Sequence, residues 1–128
     1  VPSLALSEPA VAATVPLLRH RASAFAAAHG AGKDLVDDVA LAVSEAVTNA
    51  VKYAYDPGDD GRVQLAAKAG HGWLEVRVID HGHGFRAGES GGLGLGLALI
   101  AELTAELTVV QGPTGTELRM RFALAEPR

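Results

Sequence analysis

A chain of 128 residues, 48% hydrophobic and 20% charged, is long enough for one globular core and too apolar to stay disordered. Eleven Lys and Arg against fifteen Asp and Glu leave a formal charge of −4, so there is no electrostatic case for direct nucleic-acid or membrane binding. The absence of cysteine excludes disulfides and thiolate metal sites, no apolar run reaches the roughly 18 residues of a bilayer span, and the first residues lack the pattern of a signal peptide; the cytoplasm is the expected location.

In chain order, residues 3–7 alternate and read as a short edge strand. Ser7 as N-cap and Pro9 near the first helical position suggest a helix over 10–29, with Pro16 kinking it or marking a restart. His29-Gly30-Ala31-Gly32 ends that helix. A second helix is expected from Asp34 to Tyr55, because Leu35, Val36, Val39, Val43, Ala46, Val47, Ala50 and Ala54 recur at helical spacing. Asp34, Asp37 and Asp38 fall at its start, where the macrodipole favours them, and Asp56-Pro57-Gly58-Asp59-Asp60-Gly61 stops it.

Strands over 62–69 and 73–79 form a hairpin through Gly70-His71-Gly72. A third helix is expected from Leu95 to Ala105, followed by strands 107–111 and 116–124 paired across Gly112–Gly115. In the last strand Leu118, Met120, Phe122 and Leu124 alternate with Glu117, Arg119 and Arg121, the pattern of a sheet with one buried face. The order β-α-α-β-β-α-β-β implies an α+β fold: a two-layer sandwich with a mixed, mostly antiparallel sheet and helices on one face, in a single domain over 1–128.

Seven of the fifteen glycines fall between Asp80 and Gly96, in the run DHGHGFRAGESGGLGLGL that starts at Asp80. Glycine costs backbone entropy wherever it is ordered, so this density needs a steric reason. Asp80 at a strand end offers a carboxylate to an exocyclic amine such as adenine N6, and Gly82 and Gly84 follow at two-residue steps, where Gly84 lets a flat ring lie on the backbone; an ordinary Asp turn fits equally. Gly92, Gly94 and Gly96 alternate with leucines at a helix start, where N–H groups and the positive dipole end favour phosphate.

Glu45, Asn49 and Lys52 share a helix face that points roughly away from the apolar stripe. A solvated surface is one reading. The other is an acid and an amide that ligate Mg²⁺, with a lysine meeting a phosphate. Gly115-Thr116 opens the last strand, with a hydroxyl placed to support a bound base or to serve a plain turn. His81 and His83 are expected to be surface residues rather than ligands, Trp73 a core or edge-packing aromatic, and neither a hydrolase elbow nor a P-loop pattern occurs.

Taken in order, these segments resemble the nucleotide-binding boxes of the GHKL ATPase superfamily (Bergerat fold) over about residues 34–124. Glu45-Ala-Val-Thr-Asn49-Ala-Val-Lys52 resembles the N box, Asp80-His-Gly82-His-Gly84 the G1 box, Gly92-Leu-Gly94-Leu-Gly96 the G2 box, and Gly115-Thr116-Glu117 the last glycine box. Within the superfamily, LAVSEAVTNAVKYAY (41–55) is most similar to bacterial anti-sigma factor serine kinases.

The resemblance implies ATP with Mg²⁺ as cofactors. Asn49 would ligate the metal, Glu45 would serve as or position the general base, Asp80 would bind the adenine amine with Gly84 beside the ring and Thr116 in support, and Gly92, Gly94 and Gly96 would cradle phosphates. It also implies transfer of the γ-phosphoryl to a serine or threonine of an anti-sigma antagonist, sequestration of a sigma factor, and a homodimer through the first strand and helix. One departure stands out: between Phe85 and Gly91 only Arg86-Ala-Gly-Glu-Ser90 remains where the superfamily carries a longer lid, and Arg86 is its sole basic residue. A nucleotide-binding module without turnover, or a domain cut from a larger phosphatase or sensor, are the alternative expectations.

Overall fold

The computed structural model describes residues 1–82 and 91–125, with 91–95 described as backbone. The elements are β1 (Ser3–Pro9), α1 (Thr14–Ala28), α2 (Lys33–Asn49), a π-helical turn (Ala50–Ala54), β2 (Arg62–Gly70), β3 (Trp73–Asp80), α3 (Gly91–Leu103), β4 (Glu106–Gly112) and β5 (Gly115–Ala123). The five strands form one sheet in the order β1-β2-β3-β5-β4, and every described pairing is antiparallel, so the sheet is not mixed. Short hairpins join β2 to β3 and β4 to β5, the β1-to-β2 step runs through α1, α2 and the π-helical turn, and the β3-to-β5 step makes room for α3 and β4.

The alternation in the strands decides which face is buried. Val63 and Leu65 of β2, Leu74, Val76 and Val78 of β3, and Leu118, Met120 and Phe122 of β5 point to the helices. Against them pack Leu18, Ala22 and Ala26 of α1, Val39, Val43, Ala46 and Val47 of α2, and Ile100 of α3. The small side chains of Ala22 and Ala26, one turn apart on α1, let it lie close to α2.

The opposite sheet face is solvated by ion pairs. Glu75 lies 3.4 Å from Lys68 and 3.6 Å from Arg121, and Glu117 lies 3.5 Å from Arg77 and 2.6 Å from Arg119. Trp73 belongs to this outer face, with the Arg121 guanidinium 4.5 Å from its ring centre, so it is not a core aromatic.

The expectations at the start of α1 are corrected. Ser7 and Pro9 do not start a helix: they pair with Gln64 and Arg62 as the end of β1. Because α1 begins only at Thr14, Pro16 falls in its first turn, where the missing N–H has no intrahelical partner to lose, and no kink results. α1 ends as expected, with Gly30 at φ 104° and the Ala31 N–H on the Ala26 carbonyl at 3.0 Å, a Schellman arrangement.

The second helix is not uniform to Tyr55; after Asn49 it widens into the π-turn. α3 starts at Gly91, so the glycine run forms its first turns rather than a loop before it. Among the described residues no helix is long and apolar enough to cross a membrane.

Phe122 is 1% exposed at the centre of this core. Phe122→Ala is expected to destabilise the fold by about 3–5 kcal/mol, whereas Val110→Ala, on the exposed edge strand, stays within about 0.5 kcal/mol; urea unfolding measures both.

Candidate functional site

Two layers meet at the end of the sheet where β3 stops. Asp80, the last residue of β3, is 7% exposed and lies directly across the ladder from Thr116 of β5. Its Oδ1 accepts the Gly82 N–H at 3.0 Å, which turns the chain sharply and fixes the carboxylate. Thr116 is buried, and its Oγ1 has no hydrogen-bond partner among the described residues. Gly115 precedes it at φ 147°, and a Cβ there would collide with the Asp80 carbonyl. Asp80, His81, Gln111, Gly115, Thr116 and Glu117 border a cavity of about 260 Å³.

The helix layer supplies the other half. Asn49, the last α-helical residue of α2, is 6% exposed, and its Nδ2 has no partner among the described residues. The expected solvated face is thus wrong for Asn49, because α3 packs across it. A Cβ on Gly96 of α3 would stand 3.0 Å from Asn49 Nδ2, 3.4 Å from its Oδ1 and 3.4 Å from Glu45 Oε2. Glu45, half-buried, therefore stays with Asn49 and Gly96 in one place. Lys52 lies on the π-turn and is exposed.

Gly82 is buried against the π-turn, where a Cβ would overlap the Ala54 carbonyl. Gly92 and Gly94 belong to the first turn of α3, whose leading N–H groups have no carbonyl four residues back to bond. Gly84, Arg86 and His83 lie outside the described residues.

An unpaired buried polar group costs about 1–3 kcal/mol. Two of them, in a fold whose net stability is typically about 5–15 kcal/mol, are a large charge on stability unless a polar ligand completes them. A buried amide beside a carboxylate suits a hydrated Mg²⁺ carrying phosphates, and the start of a glycine helix suits the phosphates themselves. The donor set fits a magnesium nucleotide. Among the described residues no three His, Asp or Glu side chains cluster as a protein-only metal cage. Volume alone would have chosen elsewhere: a cavity of about 540 Å³ lies at the far end of the sheet beside His29, Gly70 and His71, away from Asn49 and Asp80.

Sequence reading missed Tyr55, Ala54 and Gly61. The Tyr55 hydroxyl donates to the Arg62 carbonyl at 2.6 Å and accepts the His81 N–H at 2.9 Å. The ring lies where a Cβ on Gly61 would be. A tyrosine shortly before a glycine-rich turn was the only signal, and it is too common to single out.

An antiparallel sheet covered on one face by three helices, with an acid–amide pair facing a glycine helix and an aspartate at a strand end, defines an α+β sandwich of the ATPase-domain type. The chain belongs to the family described as the histidine kinase-like ATPase domain, which it matches over residues 8–122.

It is 38% identical over 82 residues to the serine-protein kinase RsbW of Listeria monocytogenes serotype 4a, covering 64% of this chain and 52% of that protein. To the serine-protein kinase RsbW of Staphylococcus epidermidis it is 37% identical over 78 residues, 60% of this chain and 49% of that one. The chain thus spans about half the length of the curated relatives it matches. Among solved structures it superposes on the RsbU and RsbW domains of Rv1364c from Mycobacterium tuberculosis with a TM-score of 0.79 and 28% identity, covering 99% of this chain and 34% of that one.

The two glycine contacts differ in what must yield. Gly82→Ala drives a methyl into backbone and is expected to destabilise by about 1–3 kcal/mol. Gly96→Ala meets side-chain ends and gains about 1 kcal/mol of helix propensity, so its stability should stay close to wild type. Paired urea titrations compare them.

Proposed function

We propose that the chain is the ATP-binding domain of an anti-sigma factor with serine/threonine protein kinase activity. It binds ATP with Mg²⁺, transfers the γ-phosphoryl to a serine or threonine of an anti-sigma antagonist, and sequesters a sigma factor. The observation that carries the reading is the pair of orphaned polar atoms, Asn49 Nδ2 and Thr116 Oγ1, one in each half of the site. The likeness to two RsbW serine-protein kinases supports a hydroxyl side chain as acceptor.

In this reading Asp80, held by its own turn, accepts the adenine amine, and Thr116 supports the base or a bound water. Gly82 allows the turn and Gly84 flanks the ring. The N-terminal turn of α3, with Gly92, Gly94 and Gly96, holds the phosphates. Asn49 would ligate Mg²⁺, which when bound would supply charge neutralisation for phosphoryl transfer. Lys52 and Arg86 add positive charge near the phosphates. Glu45 takes the proton of the attacking hydroxyl or holds that hydroxyl in line. Catalysis then rests on positioning and charge neutralisation.

The acting protein is cytoplasmic, contacts neither nucleic acid nor membrane, and pairs as a homodimer through β1 and α1. β1 lies at the sheet edge, and Val11 and Leu17 beside it are half-exposed. Residues 1–128 form one domain.

Thermal unfolding with ATP–Mg²⁺ tests binding. At 100 times Kd, the wild type should gain about 2.7 kcal/mol. Asn49→Ala removes an unpaired amide, so its ligand-free stability should equal or exceed wild type while the ATP gain disappears; Asp80→Ala should lose most of the gain. Absence of a wild-type shift would refute the nucleotide site.

Phosphotransfer from γ-labelled ATP to purified antagonist proteins tests the activity. Label on a serine or threonine is expected, with Glu45→Ala lowering the rate by about 10²–10⁴-fold. ATP binding with no transfer to any antagonist would assign a nucleotide-switched binding module instead.

A further inference from the structure

We propose that Tyr55 is a positioning residue for base recognition: its hydroxyl bridges the open end of the β2–β3 ladder and thereby sets the Asp80 carboxylate. The inference rests on the reading of Asp80 as the group that accepts the adenine amine. The ladder's last pair is Val63 with Asp80, and its register places Arg62 opposite His81 next. There the Tyr55 hydroxyl stands between the strands, donating to the Arg62 carbonyl at 2.6 Å and accepting the His81 N–H at 2.9 Å. A direct rung would carry β3 onward as strand. The inserted hydroxyl satisfies both groups yet lets the chain leave the sheet at His81.

One residue later the Gly82 N–H bonds back to Asp80 Oδ1 at 3.0 Å, so the carboxylate's orientation depends on where His81 is pinned. His81 is held a second way, with its ring nitrogen Nε2 3.4 Å from Gln64 Oε1, but that contact is exposed and long.

Two features fix Tyr55 itself. The π-turn at Ala50–Ala54 delivers it from the end of the Asn49 helix, and Gly61 leaves the space its ring fills. The same π-turn presses the Ala54 carbonyl on Gly82. One short segment therefore ties the amide proposed for metal to the carboxylate proposed for base. π-turns inside helices recur at functional positions for this kind of displacement.

The test is base discrimination, which a purely structural tyrosine would not alter. Calorimetry compares ADP with IDP, which lacks the exocyclic amine, on wild type, Asp80→Ala, Tyr55→Phe and Gly61→Ala, with unfolding curves confirming that each is folded. Wild type should prefer ADP, and Asp80→Ala should abolish the preference. Tyr55→Phe keeps the ring on Gly61 and loses only the hydroxyl. It should weaken ADP by about fivefold to tenfold while IDP changes less than about twofold, the scale of one hydrogen bond. Gly61→Ala, which displaces the ring, should compress the preference in the same direction.

Equal loss for both nucleotides, or no loss, in Tyr55→Phe overturns the proposal while leaving the Asp80 reading standing. Wild type that binds ADP and IDP equally overturns that reading, and this inference with it.

Discussion

The contact between Gly82 and the Ala54 carbonyl is the constraint on which the site depends. It brings the end of β3 against the last turn of the Asn49 helix with no room for a side-chain carbon. The core beneath it is ordinary: alternating strand residues against small helix residues, stabilised by apolar burial. Apolar burial is non-directional, however, and would hold the layers together with the site's two halves ångströms apart. Backbone-to-backbone approach at a glycine has no such latitude. Gly96 makes a softer contact on the other side of Asn49, where α3 closes on the side-chain ends of the amide and of Glu45.

The polar groups gathered there work against stability. Asn49 and Thr116 each hold a buried polar atom without a partner among the described residues, while the outer sheet face pairs Glu75 and Glu117 with neighbouring cations. The fold satisfies charge on the outer sheet face, even at the buried Glu75, and leaves need unmet where a ligand would fill it. Local violation of an otherwise consistent pattern is the physical mark of a functional site. In this chain the two violations fall in two of the four box-like segments, Asn49 in the first and Thr116 in the last.

The fold was legible because its signals are local and periodic. Period-2 alternation in β3 and β5 and the 3.6-residue recurrence in α2 assign their buried faces directly. Errors fell where two local signals competed. Pro9 served a strand end rather than a helix start, since the backbone pairing of β1 with β2 continues to it. The glycine run lengthened α3, despite a propensity penalty of about 1 kcal/mol per glycine, since α3 packs on α2 through Gly96 and on the core through Ile100.

By itself the sequence determined the element order, the buried strand faces, and the residue types of the site: Glu45 and Asn49 one helical turn apart, Asp80 at a strand end, glycines at a helix start. Those are short-range facts, carried by spacing along one element. Only the tertiary structure decided that Asn49 is buried, that Thr116 stands opposite Asp80, and that Tyr55 bridges Arg62 to His81. Each of these joins residues distant in the chain through strand register or helix packing. Register and packing are set by the whole core at once, so no window of the sequence contains them.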